Sequence, residues 1–468
     1  MKLLIFDLDF TLVNTNNCQD YLKTRAGREA IVEKLDSGEV TTSLYFPETV
    51  DFVNELVASF MRYDTDTLPI IVSDSPRAYC EKLIELHGFN IPSELIFPAS
   101  HKPCVDICNV LETVNAYTEE KLVKVAKVSD CLVIGDSARD IHFGHEIKRP
   151  SVWAKWGNVA HEHVYDVSES KPTRTVNNLD ELAAVIDEFI GSGTDGFEYT
   201  VPDFKKEWDI QTVDIEDFTE QEVEDIGFCE HYVPEALTLD NQKHKYSFFD
   251  VNWVLKPAKN VPENHLWKAK RYPQKFYTQA GTFTEAKSLM RLAGIFKGRF
   301  KQWIEEKGIT GKVLLVPIPS SVPAECNKTQ TVKLIAGWWT EWINKLNPDF
   351  TLVHKELLVE RFKPKIPTHA QGGQRHIEDQ LSTMGLFKGV LGKLPDDITA
   401  VVFLDDVTTS GNSINAMATI FRELEVVPKE VPLYGYVWFK TYHPDIEFDI
   451  DFDFEALIAK ADNVAADN

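Results

Sequence analysis

Four short apolar runs in the first third of the chain, each breaking into polar residues at its C-terminal side, most narrow what this sequence can fold into. They are Lys2–Phe6, Pro69–Val72, Leu95–Phe97 and Cys131–Ile134. Runs of this length suit buried strands rather than helices. Helical stretches, Arg77 to His87, Val105 to Val114 and Thr118 to Val128, lie between them. Strands alternating with helices predict an α/β fold, a doubly wound and mainly parallel sheet with function at the carboxyl edge of its strands. The four edges carry Asp7-Leu8-Asp9, Ser73-Asp74-Ser75, Ser100-His101-Lys102-Pro103 and Gly135-Asp136-Ser137-Ala138-Arg139-Asp140. Two acids at i and i+2 on the tip of a buried strand can divide their work: one attacks phosphorus and coordinates magnesium, while the other moves a proton.

In this order the four strand ends resemble the motifs of the haloacid dehalogenase-like (HAD) superfamily. The resemblance spans residues 1–192 and implies a Rossmann-like hydrolase domain. It makes Asp7 the nucleophile that forms an aspartyl-phosphate and Asp9 the general acid and base. Ser73 would hydrogen-bond the phosphoryl group, and Lys102 would neutralise the phosphate and the nucleophile. Mg2+ would be held by Asp7, Asp9 and Asp136, with Asp140 as a further acid beside it. The acid at position 9 favours phosphate chemistry over dehalogenation. Blander roles stay open for some of these residues. Ser73 could cap a helix, Asp74 could be solvated, and Asp140 could cap a helix or pair with Arg139. The stretch 14–46 falls where this superfamily inserts its cap and predicts a small helical one.

At 468 residues the chain is long enough for two or three domains. Its 43% hydrophobic and 26% charged residues are those of a globular protein, and no apolar run approaches the ~20 residues of a membrane span. The formal net charge of −24 argues against a nonspecific nucleic-acid binder. The N-terminus reaches an acid at Asp7, too soon for a signal peptide. Seven cysteines form no paired framework, which suits a reduced, cytoplasmic chain. Cys104 and Cys108 have no second pair at metal-binding spacing, and Cys229-Glu230-His231 has no matching set, so no zinc is expected.

Gly191-Ser192-Gly193-Thr194-Asp195-Gly196 marks a break in composition. Residues 193–245, acidic from Asp214 to Asp225, are expected to connect two domains. From 246 to 445 the strand–helix alternation returns. Leu289, Leu292, Ala293, Phe296, Phe300, Trp303 and Ile304 recur at helical spacing. A strand at Val313–Val316 ends in Pro317-Ile318-Pro319-Ser320-Ser321, and a helix at Thr331–Leu346 carries Trp338, Trp339 and Trp342. The strand Val401–Leu404 then runs into Asp405-Asp406-Val407-Thr408-Thr409-Ser410-Gly411-Asn412-Ser413 ahead of a helical pattern from Ile414 to Leu424. Backbone N–H groups, hydroxyls and a helix N-terminus in one short loop suit an anion. An acid pair beside such a loop has a use if it faces vicinal hydroxyls or a metal. An ordinary strand–loop–helix turn with a solvated acid pair is the alternative.

That stretch resembles the phosphoribosyl pyrophosphate signature of type I phosphoribosyltransferases, nearest in pattern to their ComF-like and amidophosphoribosyltransferase-like group. The resemblance implies a second doubly wound domain. Thr408, Thr409, Ser410, Gly411, Asn412 and Ser413 would hold the 5-phosphate, and Asp405 and Asp406 the ribose hydroxyls. Ser320 and Ser321 would lie in the pyrophosphate loop. Glu360 to Arg375 would form a mobile lid, from which Arg361, Lys363, Lys365 and Arg375 could reach pyrophosphate. Thr408 departs from the pattern, standing where an apolar residue is usual. Phe248, Phe249, Trp253 and Tyr277 are core or interface aromatics rather than base-stacking groups. The alternating acids and apolar residues from Asp445 to Phe454 fit a protected edge strand or an acidic tail over 446–468. Together the two resemblances imply a bifunctional, magnesium-dependent enzyme acting on phosphoribosyl pyrophosphate, a base-like acceptor and a phosphate monoester. Two alternatives stand beside it: a phosphoribosyl pyrophosphate sensor regulating the phosphatase, and a role in DNA metabolism. A homodimer is an allowed assembly.

Overall fold

The computed structural model describes residues 1–22, 25–121, 127–157, 161–232, 275–277, 283–285, 287–327, 330–355, 357–365 and 376–441. The first sheet has six parallel strands: β1 (Lys2–Phe6), β2 (Thr67–Val72), β3 (Ile96–Phe97), β4 (Asp130–Gly135), β5 (Ser151–Ala154) and β6 (Arg174–Val176), in the order β3-β2-β1-β4-β5-β6. β1 lies between β2 and β4, with Phe6 beside both Ile71 and Ile134. Chain direction reverses its march across the sheet at β1, so a crevice opens outside the carboxyl ends there. The apolar runs pass through the middle of this layer: Leu3, Leu4, Ile5, Ile70, Ile71, Leu132 and Ile134 are all buried. Between β1 and β2 lie the short helices Asn16–Cys18, Gln19–Leu22 and Arg25–Asp36, within the stretch expected as a cap, and then the helix Thr49–Met61.

Past the first sheet come β7 (Ile210–Gln211), β8 (Ile226–Tyr232), and the hairpin β9 (Lys275–Tyr277) and β10 (Phe283–Glu285). They are followed by β11 (Gly311–Pro317), β12 (Phe350–His354), β13 (Val359–Arg361), β14 (Met384–Phe387), β15 (Ile398–Thr408) and β16 (Leu433–Thr441). A second parallel sheet has the order β12-β11-β15-β16-β8. Its central strands are apolar without alternation because both faces are covered. Val313, Leu315, Val402 and Leu404 pack with Phe296, Phe300, Ile335 and Trp339 on one side. Leu314, Val316, Val401 and Phe403 pack with Ile414, Met417 and Phe421 on the other.

The expected connecting segment, 193–245, needs correcting. β7 joins β14 and β13 in a small antiparallel sheet, and β8 is the edge strand of the second parallel sheet. The partner of β8 is β16, far along the chain, and the acids before Ile226 conceal a strand that only this pairing justifies. The expected strand Val401–Leu404 is also longer. β16 pairs with it through Thr408, so Asp405 and Asp406 lie within β15 rather than after it. Phe248, Phe249, Trp253 and the tail 446–468 lie outside the described residues. Among the described residues no helix is long and apolar enough to cross a membrane.

Candidate active site

The first sheet brings all four polar strand ends to one edge. Asp7 follows β1 and its N–H donates to Ile134 O at 2.8 Å. Ser73 follows β2 and its N–H donates to Phe97 O at 2.9 Å, while Ser100 N–H donates to Ser73 O at 3.0 Å. Asp136 follows β4, and Ser137 begins the helix Ala138–Glu146 with a capping box whose other member is Asp140. Asp7, Asp136 and Asp140 are buried, and each offers an oxygen within 4.8 Å of the others. Lys102 reaches into this group from the loop after β3, its Nζ 2.7 Å from Asp7 Oδ1 and 2.5 Å from Asp140 Oδ1.

Local backbone chemistry explains why these side chains converge. Asp140 Oδ2 accepts from Ser137 N–H at 3.1 Å and from Ser137 Oγ at 2.6 Å, leaving Oδ1 for Lys102. A Cβ on Gly135 would lie 2.2 Å from Asp140 Cγ, so only glycine lets the helix carry its acid so close to β4. The peptide N–H of Lys102 donates to Asp74 Oδ1 at 2.7 Å, and His101 before it has φ 56°. Asp140 therefore both caps its helix and meets the lysine.

Three carboxylates face one ammonium, so negative charge is in excess. Burial, opposed by Lys102, and then Asp140, Asp136 and Asp9 push the Asp7 carboxyl well above the usual carboxylate range. Burial also disfavours the Lys102 ammonium, but Asp140 and Asp7, with Asp74 behind them, more than reverse this and hold it charged. Cation and proton are alternative answers to the same excess charge. Three hard oxygen donors in a small buried space fit Mg2+.

Asp9 is placed differently from the expectation. Its Oδ2 accepts from Ser75 Oγ at 2.7 Å and its Oδ1 from Tyr79 Oη at 2.8 Å, and its carboxylate stands outside the acid cluster. Ser73 is not a helix cap, since the following helix begins after Pro76 and Ser73 Oγ instead accepts from Ser75 N–H at 3.1 Å. Asp74 is not simply solvated: besides Lys102 N–H it meets Arg139 Nη1 at 3.2 Å. Two further residues gave no sequence signal. His163 Nε2 lies 2.9 Å from the Asp136 carbonyl and 3.7 Å from its carboxylate. Tyr45 Oη donates to Gly157 O at 2.8 Å, and burial, Asp136 and Asp9 raise its phenol above the ordinary range.

In the second sheet β11 and β15 are neighbours, and Ile318 N–H donates to Leu404 O at 2.8 Å, so the Pro317–Ser321 loop adjoins the acid pair. Asp405 Oδ1 accepts from Asp406 N–H and Asp406 Oδ1 from Val407 N–H, each at 2.8 Å. Thr408 is buried and its Oγ1 accepts from Gly411 N–H at 3.1 Å, which explains a hydroxyl where an apolar residue is usual. Gly411, at φ 82°, precedes the helix Asn412–Glu423, while Thr409 and Ser410 are exposed. Thr409 Oγ1 lies 2.9 Å from Thr441 Oγ1.

Arg361, expected in a mobile lid, requires correction. It is 2% exposed at the end of β13, and burial pushes its guanidinium down to about 10. It donates to Ser320 O and Thr383 Oγ1, and to Gln380 Oε1 at 2.8 Å, while Gln380 Nε2 donates to Ser413 Oγ at 3.0 Å. Its charge braces two loops from below instead of reaching outward. Ser321 O accepts from the N–H of Lys365, itself buried. Arg375 lies outside the described residues.

Residues 111–182 match the HAD-hydrolase-like family model, a span holding β4, Asp136, Asp140, β5 and β6. The structure is similar to a hydrolase from Pseudomonas syringae at 15% identity, covering 40% of this chain and 99% of that one, with a TM-score of 0.30. It is also similar to a haloacid dehalogenase-like hydrolase from Streptococcus pneumoniae at 16% identity, covering 39% and 97%, with a TM-score of 0.25. A phosphoserine phosphohydrolase-like protein from Francisella tularensis is similar at 15% identity over 40% and 100%, with a TM-score of 0.24. No curated protein matches the sequence. The family match supports a HAD-like hydrolase domain in the N-terminal part of the chain.

Proposed function

We propose that the first domain is a magnesium-dependent phosphohydrolase acting on a phosphate monoester. The buried cluster of Asp7, Asp136 and Asp140 closed by the Lys102 ammonium carries this reading. An Asp7 oxygen attacks phosphorus, the bond from phosphorus to the ester oxygen breaks, and Asp9 gives that oxygen its proton. Water then attacks the aspartyl-phosphate, passes its proton to Asp9, and releases phosphate and the Asp7 carboxylate. To act as the acid, Asp9 must leave Ser75 and Tyr79, both of which donate to it here. Lys102 and the hydroxyl of Ser73 set positive charge and a donor against the developing phosphoryl charge. Mg2+ held by Asp7, Asp136 and Asp140 would supply further charge neutralisation.

For the second sheet the reading is binding of phosphoribosyl pyrophosphate and transfer of its phosphoribosyl unit to a base-like acceptor. The supporting observation is the adjacency of the Pro317–Ser321 loop to Asp405, Asp406 and the loop ending in Ser413. Arg361 supports it as a brace for Ser320 and, through Gln380, for Ser413. The transferase product would carry a phosphate monoester, the substrate class of the first site, so the two would act in sequence.

The test is mass spectrometry of reactions containing phosphoribosyl pyrophosphate, Mg2+ and a panel of bases. Asp7→Asn should accumulate a ribosylated phosphate, and Asp405→Ala with Asp406→Ala should stop before ribosylation. If no base is ribosylated, yet phosphoribosyl pyrophosphate changes phosphatase turnover, the second domain is a sensor and the transferase reading falls.

A further inference from the structure

The helix that carries Asp140 meets residues from the second half of the chain. Arg139, beside Asp140 on the helix Ala138–Glu146, bonds residues on both sides of the 191–196 break. Its Nε donates to Cys326 O at 2.9 Å and its Nη2 to Asn327 Oδ1 at 3.3 Å, while Nη1 donates to Asp74 Oδ2 at 3.2 Å. The other Asp74 oxygen accepts the peptide N–H of Lys102, the residue whose ammonium sits between Asp7 and Asp140. One planar guanidinium thus spans a segment that follows the Pro317–Ser321 loop and the loop that aims the lysine.

The surroundings make this a built contact. His142 Nε2 lies 2.7 Å from Glu325 Oε1, with both side chains buried. Ala138, Ile141, Trp153 and Val167 pack against Val322 and Cys326. Asn327 is itself fixed, since its Nδ2 donates to Ser320 Oγ at 2.6 Å and Ser320 Oγ donates to Val322 O at 2.7 Å.

We infer that Arg139 is a positioning residue for hydrolysis at Asp7, and that the segment Ala324–Asn327 completes the hydrolase site by holding it. The inference rests on the phosphohydrolase reading. Backbone bonds from Ala99 to Ser75 O and from Ser100 to Ser73 O tie the loop as far as Ser100, and at Lys102 itself the anchor is Asp74, which accepts its peptide N–H. A carboxylate held at one oxygen can turn; held at both it cannot. Arginine serves partners in several directions at once because its donors form a rigid fork, whereas a lysine offers a single point of charge. The Arg139–Asp74 pair is about a third exposed, so its share in stability is small. Its effect therefore belongs in the rate, where placement of the ammonium to fractions of an ångström counts.

The experiment uses the full chain with Mg2+ and p-nitrophenyl phosphate. Arg139→Lys and Asn327→Ala should each lower kcat by about tenfold, the scale of a sub-ångström misplacement, and leave KM within about twofold. Their urea midpoints should match the wild type. Arg139→Lys combined with Asp74→Asn should be no slower than the slower single variant, because both are links of one chain. An unchanged kcat in Arg139→Lys, losses that multiply in the double variant, or a fall in kcat matched by an equal fall in stability would each overturn the inference while the hydrolase reading stands. A wild-type chain that hydrolyses no phosphate monoester would overturn both.

Discussion

Replacing Lys102 with methionine tests the charge balance of the acid site. Its Nζ is shared by Asp7 and Asp140, and the three side chains are 4%, 9% and 1% exposed. Methionine keeps the length and apolar stem and removes only the ammonium. Breaking a buried pair from one side costs about 3–5 kcal/mol, because the partner is left charged and desolvated. Here the carboxyls have an escape, since Asp7 can keep a proton. Its folded pKa already lies above the ordinary 3.8, and losing Lys102 raises it further. A raised carboxyl holds in the fold a proton that the unfolded chain releases above 3.8, so stability falls as pH climbs from there through the folded value. The deficit of Lys102→Met should therefore be smallest near the ordinary 3.8, grow as pH rises, and reach roughly 3–5 kcal/mol at neutral pH without divalent cation. Excess Mg2+ should recover part of it by neutralising the same acids. Urea unfolding of both proteins at two pH values, with and without Mg2+, reads all three features. A deficit below about 1 kcal/mol at neutral pH, or one indifferent to pH and cation, would refute a buried and charge-excessive cluster.

Gly135→Ala would drive a methyl into Asp140, so hydrolysis should fall at least tenfold with a stability loss of about 1–3 kcal/mol; steady-state rates and urea midpoints check it. Burial lowers the His145 imidazole from 6.5 to about 4, with its Nε2 bonded to Ser170 O at 2.8 Å. Below 6.5 the unfolded chain takes a proton that the fold refuses, so stability should drop by up to about 1.4 kcal/mol per pH unit down to about 4, and His145→Gln should remove that slope in urea titrations. Asp405→Ala with Asp406→Ala should weaken phosphoribosyl pyrophosphate by about 1.5–3 kcal/mol per lost charged hydrogen bond, measured by calorimetry with Mg2+.

Much of the first site was legible because its parts sit where local patterns end. Asp7, Ser73, Lys102 and Asp136 each follow an apolar run, and a parallel sheet must bring such ends to one edge. What the sequence could not show depends on tertiary geometry. The resemblance put Asp9 among the metal ligands, but Ser75 and Tyr79 hold its carboxylate aside. Asp74 looked solvated because Arg139, its partner, is distant in sequence. Arg361 looked mobile because it opens a polar stretch, yet it ends a strand whose neighbours, Gln380 and Thr383, come later in the chain. β8 was hidden for the same reason: an edge strand is defined by its partner. Periodicity shows where a strand ends, and not which side chain a distant one will meet there.

As the proposed nucleophile, Asp7 must carry phosphate covalently during turnover. Acid quenching during turnover of a phosphate monoester with Mg2+, followed by mass spectrometry of the peptide containing Asp7, looks for that adduct. The wild type should show a phosphorylated Asp7 that hydroxylamine removes, and Asp7→Asn should show neither the adduct nor turnover. Wild-type turnover without an adduct, together with normal turnover in Asp7→Asn, would contradict the claim.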